Sequence, residues 1–166
     1  MKLNYFLLIF ACSAISSSVL GQADKISIKD GSIEPLIQSI EGISADNGYQ
    51  KMTEWINYNY KNADAVKGSS IENKFMKFTG IKPSFATSFG YLYDLEYTIR
   101  VEFKDNRYRL VVEQLRSGNN GVFANFNLGD YYKNGEPRKS YTSFINGIEQ
   151  SINDINVLGI AEGGGF

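Results

Sequence analysis

Four carboxylates are the residues of this sequence best placed to do chemistry. Asp94, Glu96 and Glu102 fall on even positions of one run, and Glu113 lies on the next. Side chains two apart on a strand point the same way and sit about 6.5–7 Å apart. Two carboxylates about 5–9.5 Å apart can run glycoside hydrolysis. Arg100, Arg107 and Arg109 alternate among these acids, however, and interleaved opposite charges are what a solvated sheet face carries. No Asp-x-Asp-x-Asp-Gly loop exists to make a calcium site. The second candidate is the loop Tyr131-Tyr132-Lys133 with Arg138, Lys139 and Tyr141. Its aromatic and basic groups could stack on a sugar ring or grip an anionic polymer. The plainer alternative is a surface loop whose tyrosines pin it to the body.

Other chemistries lack their parts. The 166 residues include no His and one Cys. That removes Ser-His triads and zinc sites built from His or Cys. There is no Gly-x-x-x-x-Gly-Lys-Ser/Thr loop and no Gly-x-Gly-x-x-Gly. No helix follows Gly163-Gly164-Gly165, so that run is not a phosphate loop. The expectation is no catalytic residue, no metal and no cofactor. A net charge of -1 gives no reason to expect nucleic acid as a partner.

The N-terminus reads as an address. Lys2 precedes an apolar run from Phe6 to Ile15, and Ser16-Ser17-Ser18 leads to Val19-Leu20-Gly21. The small or aliphatic residues at Val19 and Gly21 suit a signal-peptidase site, with cleavage after Gly21. The apolar run is about 10 residues against the roughly 20 of a membrane span, so an integral membrane protein is not expected. Phe10, two before Cys12, fits a lipidation motif poorly. Removal of residues 1–21 takes away Lys2 and the single cysteine, leaving a net charge of -2. Localisation is then the periplasm, the outer envelope or the medium.

Residues 22–35 are polar and read as a leader or linker, with a short strand candidate at Ile26–Ile28. Leu36–Ile40 is a brief strand. Ser44 or Asp46 can cap a helix, and Tyr49, Met52, Ile56 and Tyr60 then line one face of a helix over 45–61. Trp55 beside that stripe reads as core. Strands follow at about 71–79 and 84–88, separated by Gly80 and Pro83. From Tyr91 to Phe103 apolar and polar residues alternate, apart from Leu92, which marks a long strand with one buried face. Asp105-Asn106 forms a two-residue hairpin tip. Phe103 then faces Tyr108, Val101 faces Leu110, Ile99 faces Val112, and Glu102 faces Arg109 on the wet side. Residues 117–121 read as a turn, 122–128 as a last strand, and 129–140 as a polar loop. Phe144, Ile148, Ile152, Ile155 and Leu158 share a stripe of a closing helix over 143–158. Gly147 within it implies a close approach, Gly159 a cap, and 159–166 a flexible tail.

The layout is α+β: an antiparallel sheet of four to five strands with two helices packed on one face and the other face open. The domain spans residues 36–158.

Several stretches resemble one family. They are Ile40-Glu41-Gly42-Ile43-Ser44 leading into Tyr49-x-x-Met52-x-x-Trp55-Ile56, the hairpin Val101-Glu102-Phe103-Lys104-Asp105-Asn106-Arg107-Tyr108-Arg109, and the closing helix. Over about Leu36 to Leu158 the chain is similar to a secreted Bacteroidetes-type domain of unknown function with a TATA-binding-protein-like fold. The resemblance implies the order β-α-β-β-β-β-α. The family usually has Gly where this chain has Asn106. It supplies no activity, and a fold name does not imply DNA binding. The function expected is an exported, non-catalytic binding or interaction domain for an envelope protein or a glycan. The alternatives are a carboxylate-based glycan hydrolase and a structural envelope accessory.

Overall fold

The computed structural model describes residues 25–88 and 90–156. The expected signal sequence, Cys12, Leu158, Gly159 and the expected tail lie outside the described residues. In chain order the strands and helices are β1 (Ile28–Lys29), β2 (Ser32–Ile33), β3 (Leu36–Ser39), α1 (Ala45–Asn59), α2 (Ala63–Val66), β4 (Lys67–Ile71), β5 (Phe75–Ser88), β6 (Tyr91–Lys104), β7 (Arg107–Asn119), β8 (Val122–Asn125), β9 (Tyr132–Lys133), β10 (Glu136–Pro137) and α3 (Thr142–Asn156). Short 3-10 turns occupy Leu128–Tyr131 and Lys139–Tyr141.

The main sheet has six strands rather than four or five. Its order is β3-β7-β6-β5-β4, and β8 also pairs with β7. β3 lies beside residues 107–110 of β7 and β8 beside residues 116–119. The extra strand is β4. Its sequence Lys-Gly-Ser-Ser-Ile is mostly exposed, so it carries no apolar alternation. The two strands expected at 71–79 and 84–88 are instead one long β5 from Phe75 onward, with Ile71 ending β4 and a turn at 72–74. Pro83 and Ser84 sit in a register shift between Lys82 and Ala86. A bulge tolerates a proline, which has no N–H for the ladder. Likewise the expected turn at 117–121 shrinks to Asn120-Gly121, both with positive φ, and β7 continues through Gly118. A side chain there would sit 2.0 Å from the Val122 carbonyl oxygen.

The β6–β7 hairpin has the register its alternation demands. Phe103, Val101 and Ile99 face Tyr108, Leu110 and Val112, and Glu102 faces Arg109. Beyond Ile99 the pairing slips by one: Thr98 faces Gln114, leaving Glu113 in a bulge. Asn106 takes φ +61 at the tip, a left-handed conformation that Asn tolerates. The tip is held by the chain ahead of α1, since Ile40 N donates to Asn106 O and Asn106 N to Ile43 O.

Ser44 caps α1, its Oγ accepting from Asn47 N at 3.1 Å, and the Asp105 carboxylate accepts from Ala45 N. Met52, Ile56, Phe78, Leu95, Ile99, Val101, Ile148 and Ile152 are the buried centre. Tyr49 of α1 meets Phe103 edge-on, and Phe144 of α3 meets Tyr93. Both contacts fall on odd positions of β6, so the two long helices lie on one side of that strand. Tyr60 and Tyr97 are hydrogen-bonded to each other beneath Gly80, where a Cβ would collide with both hydroxyls.

Residues 25–35 are not a free leader: they pack on the domain. Ile26 and Ile28 are buried. β1 and β2 form a small hairpin turning at Asp30-Gly31. Ile28 N donates to Glu149 Oε1 on α3.

Candidate functional site

The even positions of β6 face away from the core and form the middle of the open face. Four of the acids and cations predicted there join one chain of ion pairs with Lys77. Lys77 and Arg100 are direct cross-strand neighbours, and like charges so placed repel. The bulge turns Glu113 toward both. Its carboxylate lies 2.7 Å from Lys77 Nζ and 3.0 Å from Arg100 Nε. Arg100 Nε is buried and this approach lacks hydrogen-bond alignment, so it is an ion pair only. Arg100 Nη1 reaches Glu102 at 2.9 Å, and Arg109 Nη1 reaches the other oxygen of Glu102 at 3.5 Å. Arg116 Nη1 donates to Glu96 at 2.7 Å and its Nη2 to the Phe123 carbonyl. Asp94 accepts from Ser84 N at 2.8 Å and so fixes the β5 bulge. Each of the four carboxylates therefore has a local partner, and a guanidinium stands between Glu102 and Glu113.

The face ends in a recess of about 200 Å³ lined by Ile37, Glu102, Lys104, Arg107, Tyr108 and Arg109. Strand pairing builds it. One cross-strand row is Ile37, Arg109 and Glu102, and the next is Ser39, Arg107 and Lys104. Among the described residues no carboxylate lies within 4.0 Å of Lys104 or Arg107. Ile37, Lys104 and Arg107 were not picked out as site residues by sequence. The available signal was the hairpin register, which sets two cations, Lys104 and Arg107, directly opposite each other.

The aromatic loop is organised inward. Tyr131 stacks on Phe144 with ring centroids 5.2 Å apart and meets Tyr141 and Phe126 edge-on. Tyr132 is buried, and its hydroxyl donates to the Ile28 carbonyl at 3.1 Å. Burial pushes the hydroxyls of Tyr131 and Tyr132 above the ordinary tyrosine value, and nearby negative groups add to this. Arg138 Nε donates to the Tyr132 carbonyl. Tyr131 and Tyr141 are thus brought together, Arg138 is tied to backbone, and Tyr132 turns toward the N-terminal segment.

Among the described residues no three His, Cys, Asp or Glu side chains gather as a metal site. No described helix is long and apolar enough to cross a membrane.

An antiparallel sheet with a few covering helices places the chain among TATA-binding-protein-like α+β folds. A TBP-like protein from Parabacteroides distasonis superposes with a TM-score of 0.60 at 16% identity, covering 84% of this chain and 99% of that one. A DUF4468 family protein from Bacteroides ovatus gives a TM-score of 0.50 at 18% identity, covering 80% of this chain and 83% of that one. These neighbours match, at the level of the fold, the family resemblance drawn from the helix and hairpin motifs. No protein-family model and no curated protein matches the sequence.

Proposed function

We propose that the protein is an exported, non-catalytic binding domain that works through its open sheet face, with an envelope protein or a glycan as partner. The observation that carries this reading is the ion-pair chain. Acid–base hydrolysis needs one carboxylic acid kept protonated and a second carboxylate free to act on water or sugar. Here Glu102 and Glu113 both grip Arg100, so the guanidinium occupies the space between them where a sugar or water would have to sit. Glu96 is held by Arg116 and Asp94 by the Ser84 amide. Export rests on the charged lead, the short apolar run and the small residue at Gly21.

A screen of polysaccharides and cell-wall glycans, run with the native chain and with Glu96→Gln and Glu102→Gln, tests the non-catalytic part. The expected result is no turnover by any of the three. Turnover by the native chain that both substitutions abolish would make the protein a hydrolase. Cell fractionation with N-terminal sequencing tests export, and the mature chain should begin at Gln22.

A further inference from the structure

The recess at the hairpin end of the open face has a charge imbalance that the rest of the face does not. Three cations, Lys104, Arg107 and Arg109, share it with one acid, Glu102. That acid is already bridged by Arg100 as well as Arg109. The nearby Asp105 carboxylate is turned away, accepting from Ala45 N at the start of α1. Lys104 and Arg107 face each other across the strands, an unfavourable pairing unless something negative lies between them. At the matching position further up the sheet, Lys77 beside Arg100, the chain supplies Glu113 for that purpose. At the recess, among the described residues, no carboxylate lies within 4.0 Å of Lys104 or Arg107.

We infer that this recess binds the carboxylate of an acidic sugar, with Arg107 and Lys104 holding the charge, Arg109 assisting and Ile37 lying against the ring. The inference rests on the binding-domain reading and names its ligand class. Arg107 and Arg109 are two apart on one strand, so both guanidinium groups reach the same face. A guanidinium offers a planar fork that matches a carboxylate with two parallel hydrogen bonds. The floor of the recess is β6 and β7, whose N–H groups there are committed to the ladder. It therefore lacks the cluster of free backbone N–H groups on which phosphate cradles are built. Its volume of about 200 Å³ falls short of the roughly 300–1,000 Å³ that enclose a drug-sized ligand. One ring fits, and the remainder of a chain would lie along the face. Ile37 is 57% exposed and offers apolar surface to the C–H face of that ring.

The test is an amide-shift titration of the purified chain by NMR with glucuronate, glucose, inorganic phosphate and an acidic dipeptide as separate probes. Glucuronate should shift the amides of Ile37, Lys104, Arg107 and Arg109, and glucose should not. Arg107→Gln should weaken glucuronate binding at least fivefold, while Glu102→Gln, which frees Arg109, should tighten it about twofold. Both side chains lie on the surface, and unchanged amide spectra elsewhere would show that the variants fold. The inference is overturned by glucose matching glucuronate, by phosphate or the dipeptide binding more tightly than glucuronate, by Arg107→Gln leaving the affinity unchanged, or by no shift with any probe. None of these outcomes alters the glycan-turnover result, so the two readings fail separately.

Discussion

The side-chain amide of Asn153 holds the backbone of Ile26 at both ends. Ile26 N donates to Asn153 Oδ1 at 2.8 Å, and Asn153 Nδ2 donates to Ile26 O at 2.9 Å. One turn earlier on α3, Glu149 accepts from Ile28 N at 2.6 Å. The helix side chains thus treat the N-terminal segment as a partner strand would.

Asn153→Ala removes two hydrogen bonds and leaves two half-buried backbone groups unpaired. The expected loss is about 1–3 kcal/mol, measured by urea unfolding. The same variant should be nicked faster by protease near residue 25. A stability unchanged from the native chain would show that the segment contributes nothing to the fold.

Gly147 decides between two opposing effects. Alanine is favoured over glycine inside a helix by about 1 kcal/mol. A Cβ at this position would stand 2.5 Å from the backbone oxygen of Phe85, and backbone cannot swing aside. Overpacking of this kind costs about 1–3 kcal/mol. Gly147→Ala should therefore lower the thermal midpoint, and a rise would show that α3 has room above β5.

The tyrosines set an alkaline limit. Burial raises the Tyr97 hydroxyl well above the ordinary value of 10.0, with the neighbouring Tyr60 adding to the effect. Burial raises Tyr60 and Tyr108 as well, and the hydrogen bond from Tyr97 partly offsets the rise at Tyr60. In the unfolded chain these groups ionise near pH 10. Above that pH the unfolded state releases protons that the folded state keeps, so stability falls as pH rises. The contribution is complete below about pH 10 and is lost through the folded-state values. Unfolding free energy measured across the alkaline range should decline from about pH 10, and Tyr97→Phe should make the decline shallower.

Face assignment separates two groups of variants. Ile99 and Val101 are fully buried, so Ile99→Asp or Val101→Asp should abolish folding. Arg109→Gln cuts a half-exposed pair with Glu102 and should cost about 0–1 kcal/mol. Circular dichroism of the three proteins reads the contrast directly, and equal behaviour would mean the wrong side of β6 had been placed inside.

Glu113→Gln leaves Lys77 and Arg100 side by side without their shared counter-charge. The loss in stability should be larger in dilute buffer than at high salt, because salt screens the exposed repulsion. A loss independent of ionic strength would assign Glu113 a packing role instead.

Legibility in the sequence followed periodicity. β6 was readable because seven odd positions from Tyr91 to Phe103 are apolar or aromatic, and a single hairpin tip then fixed the pairing down to Ile99. α3 was readable from its stripe, and Gly147 from its propensity cost. β4 was not, because a strand exposed on nearly every residue has no pattern to show. The β5 bulge hid for a different reason: Pro83 and Ser84 look locally like a break, and only Asp94 from the next strand holds the chain straight through it. The Glu113 bulge likewise depends on where Lys77 lies across the sheet. The aromatic loop advertised a ligand platform by composition, but its rings spend their faces on Phe144 and on one another. The recess was invisible as a site because Ile37 arrives from β3, about seventy residues from its neighbours on β7.

The outer margin of β7 is capped at its two ends, by β3 and by β8. Among the described residues no strand covers the stretch 111–115 between them, and the supernumerary residue Glu113 falls in that stretch. A foreign chain seeking to zip onto this margin meets an interrupted row of amides, a known deterrent to edge-to-edge stacking. The irregularity that neutralises Lys77 and Arg100 thereby also breaks the pairing template along this one margin.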